Sequence, residues 1–172
     1  MFALRCTQKI LSRLPKQPQT LGEPSTTVLG DWYANIVFTR PKHLIICISE
    51  KTLLPVVVAA EDIKRLPQRL ASTTAEILRT IGVPANEIEK ELEEMKESYF
   101  DKTNSRRVIG SLNDFIYHLE HGVGSQQELS IHDRTLRLAN MPCGAINYAY
   151  PSEATLAAFA VNSTTNQENR AA

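Results

Sequence analysis

Apolar and polar residues alternate with a period of two from Phe2 to Cys6, and the alternation predicts a half-buried strand. Thr7 then caps a short helix whose Ile10, Leu11 and Leu14 share one face, and Pro15 and Pro18 stop it. Residues 16–27 are rich in Pro, Ser, Thr and Gly and read as a surface loop. Three strand-like runs follow, WYANIVFT at 32–39, HLIICIS at 43–49 and LLPVVVA at 53–59. The connections Arg40-Pro41-Lys42 and Glu50-Lys51-Thr52 are short enough for hairpin turns, so the runs predict an antiparallel meander. The middle run is apolar on both faces and belongs in the centre, whereas Pro55 suits an edge or a strand start.

From Glu61 the period becomes helical. Ile63, Leu66, Leu70, Ile77, Leu78 and Ile81 predict one helix ended by Gly82. Asn86, with Glu89 three residues on, is read as the cap of a second, acidic helix along the stripe Ile88, Leu92 and Met95. A third helix is expected from Ser111 to His121, closed by Gly122 and Gly124. A fourth is expected from Gln126 to Ala139, with Leu129, Leu136 and His132 turned inward. The stretch NMPCGAINYAYPSEA reads as irregular and residues 161–172 as a disordered tail. The expected fold is α+β: a small, mainly antiparallel sheet from residues 2–59, packed on one side by three to four helices from 61–139, in a single domain over 1–160.

At 172 residues the chain can bury a core without disulfides or a structural metal. Its 19 basic and 19 acidic side chains cancel, so no long-range field draws it to nucleic acid or acidic lipid, and only local patches could bind such partners. The charges are uneven. Arg5, Lys9, Arg13 and Lys16 form a basic start, while Glu87, Glu89, Glu91, Glu93, Glu94, Glu97 and Asp101 outweigh Lys90 and Lys96. The basic start could pass for a transit peptide, but its period of two favours a structural reading. Three cysteines without a C-x-x-C pair fit a reducing cytoplasm better than a disulfide framework.

Candidate chemistry falls in two clusters. In residues 102–114, Ser111 and Asp114 resemble a capping box, and Leu112, Phe115, Ile116 and Leu119 form the buried face. A helix start does not require Lys102, Arg106 and Arg107 just before it, Gly110 beside it or Asn113 on its exposed side. Free amides at a helix N-terminus beside guanidinium groups suit a phosphate or carboxylate. The competing expectation is that these arginines pair with the acidic helix. In residues 30–35, Asp31, Tyr33 and Asn35 could form a polar rim, or simply pack with Trp32 at a strand start.

Other chemistries fit less well. His118 and His121 stand three apart, whereas the zincin pattern places its ligands four apart, so no metal is expected. Cys6 and Cys47 belong to apolar strands, and no histidine accompanies Cys143. The pair Glu50-Lys51 lacks the spacing of a metal-dependent nuclease, and the helix pair at 73–98 has too acidic a second helix for DNA. No cofactor is called for.

The stretches CTQK (6–9), TTVLGDWYAN (26–35), Arg40-Pro41, SEKTLLPVV (49–57), Lys102-Thr103, Arg106, Val108, GSLNDF (110–115) and PCG (142–144) together are similar to an uncharacterised bacterial family, a domain of unknown function. In that family's pattern an Asn precedes the Arg at the position of Arg106 and a Ser follows it; here Ser105 and Arg107 stand there. The resemblance covers the chain to about residue 150 and implies kinship without an activity. Its polar motif residues fall on the same two clusters. The expected function is a noncatalytic binding module for an unknown anionic ligand or protein partner, away from membranes. The alternative is a hydrolase or transferase acting on a phosphorylated or nucleotide substrate, with Asp31 or Asp114 as general base.

Overall fold

In the computed structural model, strands β1 (Phe2–Cys6), β2 (Trp32–Val37), β3 (Leu44–Ser49), β4 (Pro55–Ala59) and β5 (Ser98–Lys102) form one open sheet in the order β4-β3-β2-β1-β5. The structure describes residues 1–15, 22–40, 42–121 and 129–171, with side chains to 165 in the last stretch. The fold is α+β. The meander β2-β3-β4 is antiparallel as its spacing predicts, although Pro41 of the first turn lies outside the described residues. Ser49 closes the second turn, its hydroxyl accepting the amides of Thr52 at 3.3 Å and Leu54 at 3.2 Å. Pro55 opens the edge strand β4, and the amide of Val57 is taken by the Thr135 hydroxyl at 3.1 Å.

The remaining pairings correct the expectation of a mainly antiparallel sheet. β1 lies parallel to β2, with Leu4 opposite Trp32 and Cys6 opposite Ala34, and parallel to β5 from Phe2 opposite Ser98 to Cys6 opposite Lys102. The sheet is therefore mixed, and β5 occupies residues read as the end of the acidic helix.

Helices are α1 (Gln8–Leu11), α2 (Leu66–Ile81), α3 (Ala85–Glu94), α4 (Arg106–His121), α5 (Ile131–Ala139) and α6 (Pro151–Ala171). They cover both faces of the sheet, not one. Phe2, Leu4, Cys6, Trp32, Ile45, Cys47 and Val56 pack with Ile10 of α1, Leu70 and Ile77 of α2, Ile88 of α3 and Phe159 of α6. Tyr33, Val37, Leu44, Ile46, Ile48 and Val57 face the other way, onto Val108, Leu112, Phe115 and Leu119 of α4 and Leu138 of α5. The reason is legible in β3, which is apolar at every position from Leu44 to Ile48 and needs cover on both sides.

Gly82 ends α2 in the left-handed region, at φ 97°, as a helix-terminating glycine does. The start of α3 differs from expectation: Pro84 occupies the cap, and Asn86 lies in the first turn with its amide nitrogen donating to Glu87 Oε1 at 3.0 Å. α5 is shorter than expected and is capped by Ser130, whose hydroxyl accepts the Asp133 amide at 3.0 Å; the start expected at Gln126 lies outside the described residues, as do Gly122 and Gly124. Thr135, Leu138 and Ala139 are its buried residues, while Leu136 and His132 are half-buried. α6 runs over the stretch whose composition suggested a disordered tail, and Ser163, Thr164 and Thr165 each donate to the carbonyl four residues back. No helix among the described residues is long and apolar enough to cross a membrane.

One charged residue enters the sheet. Arg5, in the middle strand of the parallel set, is half-buried between two buried carboxylates: Nε and Nη2 reach Asp31 Oδ2, each at 2.8 Å, and Nη1 reaches Asp101 Oδ2 at 2.8 Å. Asp31 Oδ1 also accepts the amide of Ala3 at 2.9 Å. Burial is the largest influence and works against the Arg5 charge, but the charge and hydrogen bond of Asp31 together with Tyr33 and Asp101 outweigh it and hold the pKa above its ordinary value. Removing one partner strands buried charge. Asp31→Asn should therefore lower the unfolding free energy by about 3 kcal/mol or more, measured by urea denaturation.

Candidate functional site

β5 ends at Lys102, beside Cys6 at the end of β1, and residues 103–105 carry the chain from there into α4. Asn104 anchors this loop by accepting a hydrogen bond from the Tyr33 hydroxyl of β2. Ser105 then caps the helix: its carbonyl accepts the Ile109 amide at 3.1 Å and its hydroxyl receives the Val108 amide at 3.4 Å. The helix starts at Arg106, more than a turn before the Ser111 expected from the sequence. Ser111 is buried inside α4, its hydroxyl directed to the Arg107 carbonyl at 3.5 Å and receiving the Cys143 thiol at 3.8 Å. Asn113 and Asp114 are exposed about two turns along α4, not at its mouth.

The correction places the basic residues at the helix start itself. The amides of Arg106 and Arg107 donate to no partner among the described residues, and the positive end of the helix dipole lies there. Lys102 and Arg106 are exposed. Arg107 spreads its fork over the carbonyls of Ala145 at 3.2 Å and Glu50 at 3.3 Å, tying α4 to the β3–β4 turn while keeping its charge. Among the described residues none of these three cations forms a salt bridge, so the pairing with the acidic helix is not made. That helix spends its charge on Met1, Lys90 and Lys96.

The 30–35 cluster meets this loop through Tyr33 and Arg5. Tyr33 is fully buried apart from its bond to Asn104; burial, then the nearby Glu50 carboxylate, pushes its pKa up to about 12. Asp31 faces Arg5 and the Ala3 amide, so both of its oxygens are engaged. Asn35 Oδ1 accepts the Thr7 hydroxyl at 2.7 Å and the Ile36 amide at 2.9 Å, which diverts Thr7 from capping α1. Trp32 Nε1 is buried without a hydrogen-bond partner among the described residues. Sequence reasoning missed Arg5, Asp101 and Asn104. Arg5 and Asp101 look like solvent-side residues, and only the parallel pairing of their strands brings them together.

Chemically this is an acceptor for negative charge, with Asp31 and Asp101 already engaged by Arg5. Thiol chemistry has no support: burial pushes Cys47 up to about 12 and Cys6 well above its ordinary value, and Cys143 is buried against Ser111. Tyr33→Phe should cost about 1 kcal/mol by removing one hydrogen bond. Because the folded-state pKa is raised, Tyr33 favours folding below the ordinary value of 10.0, and that contribution is lost as the pH rises towards about 12. Denaturation at a series of alkaline pH values should show this decline flattened in the phenylalanine variant.

No curated protein and no solved structure matches the chain. The family model DUF6933, a domain of unknown function, matches residues 3–154. The match takes in every strand from β2 to β5, all but the first residue of β1, helices α1 to α5, and both polar clusters. The chain belongs to this DUF6933 family.

Proposed function

We propose that the protein is a noncatalytic binding module that accepts an anionic group at the start of α4. The group is a phosphate of a nucleotide or nucleic acid, or an acidic side chain of a protein partner. The observation that carries this reading is the concentration of Lys102, Arg106 and Arg107 around two unbonded amides, with no carboxylate taking their charge among the described residues. Such a start offers both dipole and guanidinium donors to an oxyanion. A small ligand or an acidic peptide fits better than a long nucleic acid, because the net charge of the chain is zero.

The same geometry favours binding over turnover. A hydrolase or transferase needs a carboxylate able to take a proton beside the anion. Asp31 is held by Arg5 and a backbone amide, and Asp114 lies about two turns along α4. The three cysteines are unpaired and buried, which agrees with a bacterial cytoplasm.

Titration with inorganic phosphate and then adenosine diphosphate, followed by amide NMR, tests the reading. Shifts should concentrate at residues 105–108. Arg106→Glu should weaken binding at least tenfold while moving the melting temperature by no more than about 2 °C, since the side chain is exposed. No shift at these amides, or shifts that survive Arg106→Glu, would contradict it.

A further inference from the structure

A second surface lies at the other end of the sheet from the start of α4. Arg107 ties that start to the carbonyl of Glu50 in the β3–β4 turn, whereas the β2–β3 turn stands at the opposite end of β3. Every residue of β2 from Trp32 to Val37 is buried, yet the chain leaves the strand through Phe38, a large ring that is 51% exposed. The ring lies beside α1: Lys9 Nζ stands 5.6 Å from its centroid and the guanidinium carbon of Arg13 stands 5.8 Å from it. His43 meets the ring edge-on, with centroids 5.1 Å apart. The turn is tied so as to keep it there. The Thr39 hydroxyl donates to the Lys42 carbonyl at 2.6 Å, and His43 Nδ1 hydrogen-bonds the Thr39 carbonyl at 3.1 Å.

The charge around this ring is of one sign. Lys9, Arg13, Arg40 and Lys42 are exposed, and among the described residues none of them forms a salt bridge. Residues 7–14 and 38–43, which carry them, contain no acid. Two acids approach from the end of β4, where the Ala60 amide donates to the His43 carbonyl at 2.9 Å. Of these, Asp62 is turned to the Lys64 amide at 3.0 Å and to Arg65 at 3.9 Å, which leaves Glu61 against the four cations.

We propose that this surface binds a short single-stranded nucleic acid, one base stacking on Phe38 and the flanking phosphates held by Lys9, Arg13, Arg40 and Lys42. A displayed ring among cations meets both needs of an unpaired strand, a flat face for the base and positive charge for the backbone. A duplex keeps its base faces stacked inside. An acidic peptide would use the cations and leave the ring idle, and one half-exposed ring offers too little apolar area to enter a bilayer. Because the chain has no net charge, attraction is local and the contact is limited to a few nucleotides.

Fluorescence anisotropy of a labelled single-stranded oligothymidylate, titrated with the full chain at low ionic strength, tests this. Binding should saturate, and an unlabelled single strand should compete far better than a duplex of the same length or polyglutamate. Phe38→Ala should weaken binding by about fivefold or more while moving the melting temperature by no more than about 2 °C, and Phe38→Tyr, which keeps a ring, should retain the affinity. Arg13→Gln should reduce the slope of log affinity against log salt by about 0.7, the share of one phosphate contact on a single strand. Arg106→Glu, at the other end of the sheet, should change the affinity by no more than about twofold. No binding, binding indifferent to Phe38→Ala, or polyglutamate competing as well as the single strand would overturn the proposal. Loss of binding in Arg106→Glu with Phe38→Ala unaffected would also overturn it, while supporting the anion site at the start of α4.

Discussion

Arg5 carries a positive charge into the sheet, and the arrangement of the parallel strands depends on how that charge is neutralised. A guanidinium so largely withdrawn from water, with only 12% of its side chain exposed, is costly without partners, and the two carboxylates arrive with it. Asp31 comes from the residue just before β2 and Asp101 from β5, the two neighbours of β1. Hydrophobic contact alone would tolerate a slip of the short strand β1, but the three-way clamp does not. It matches Arg5 to Tyr33 on one side and to Asp101 on the other. The bond from the Ala3 amide to Asp31 adds backbone to the same lock.

The clamp also sets the stage for the candidate site. Once β5 is in register, Lys102 falls at the end of β1, and a loop of three residues must bring the chain to α4. Tyr33 then holds Asn104, and Ser105 begins the helix with two arginines at its first positions. Asp31 and Asp101 are occupied by Arg5, and Glu87 and Glu91 of α3 by Lys90 and by backbone amides. The proposed site thus follows from the distribution of charge, with cations left without carboxylates at the start of α4 among the described residues.

Much of this was legible in the sequence, with failures that have physical causes. Strands β2 to β4 follow from alternation and short turns, and Gly82 marks the end of α2 because its backbone is left-handed there. β5 was hidden because SYFDK has no local partner; its pairing with β1 joins residues far apart in the chain, and the preceding run of glutamates suggests more helix. The start of α4 was misplaced because Ser111 and Asp114 imitate a capping box, whereas Ser105 is followed by Val108 at the third position.

The most direct measurement of the clamp is the proton–nitrogen NMR spectrum of the arginine Nε groups at neutral pH. A guanidinium held by two buried carboxylates should give an Arg5 Nε–H signal that exchanges slowly with water, is well separated from the exposed arginines and disappears in Arg5→Lys. An Arg5 signal that exchanges as fast as those of surface arginines would show that the charge is solvated, and the account of how β1 is held between β2 and β5 would fall.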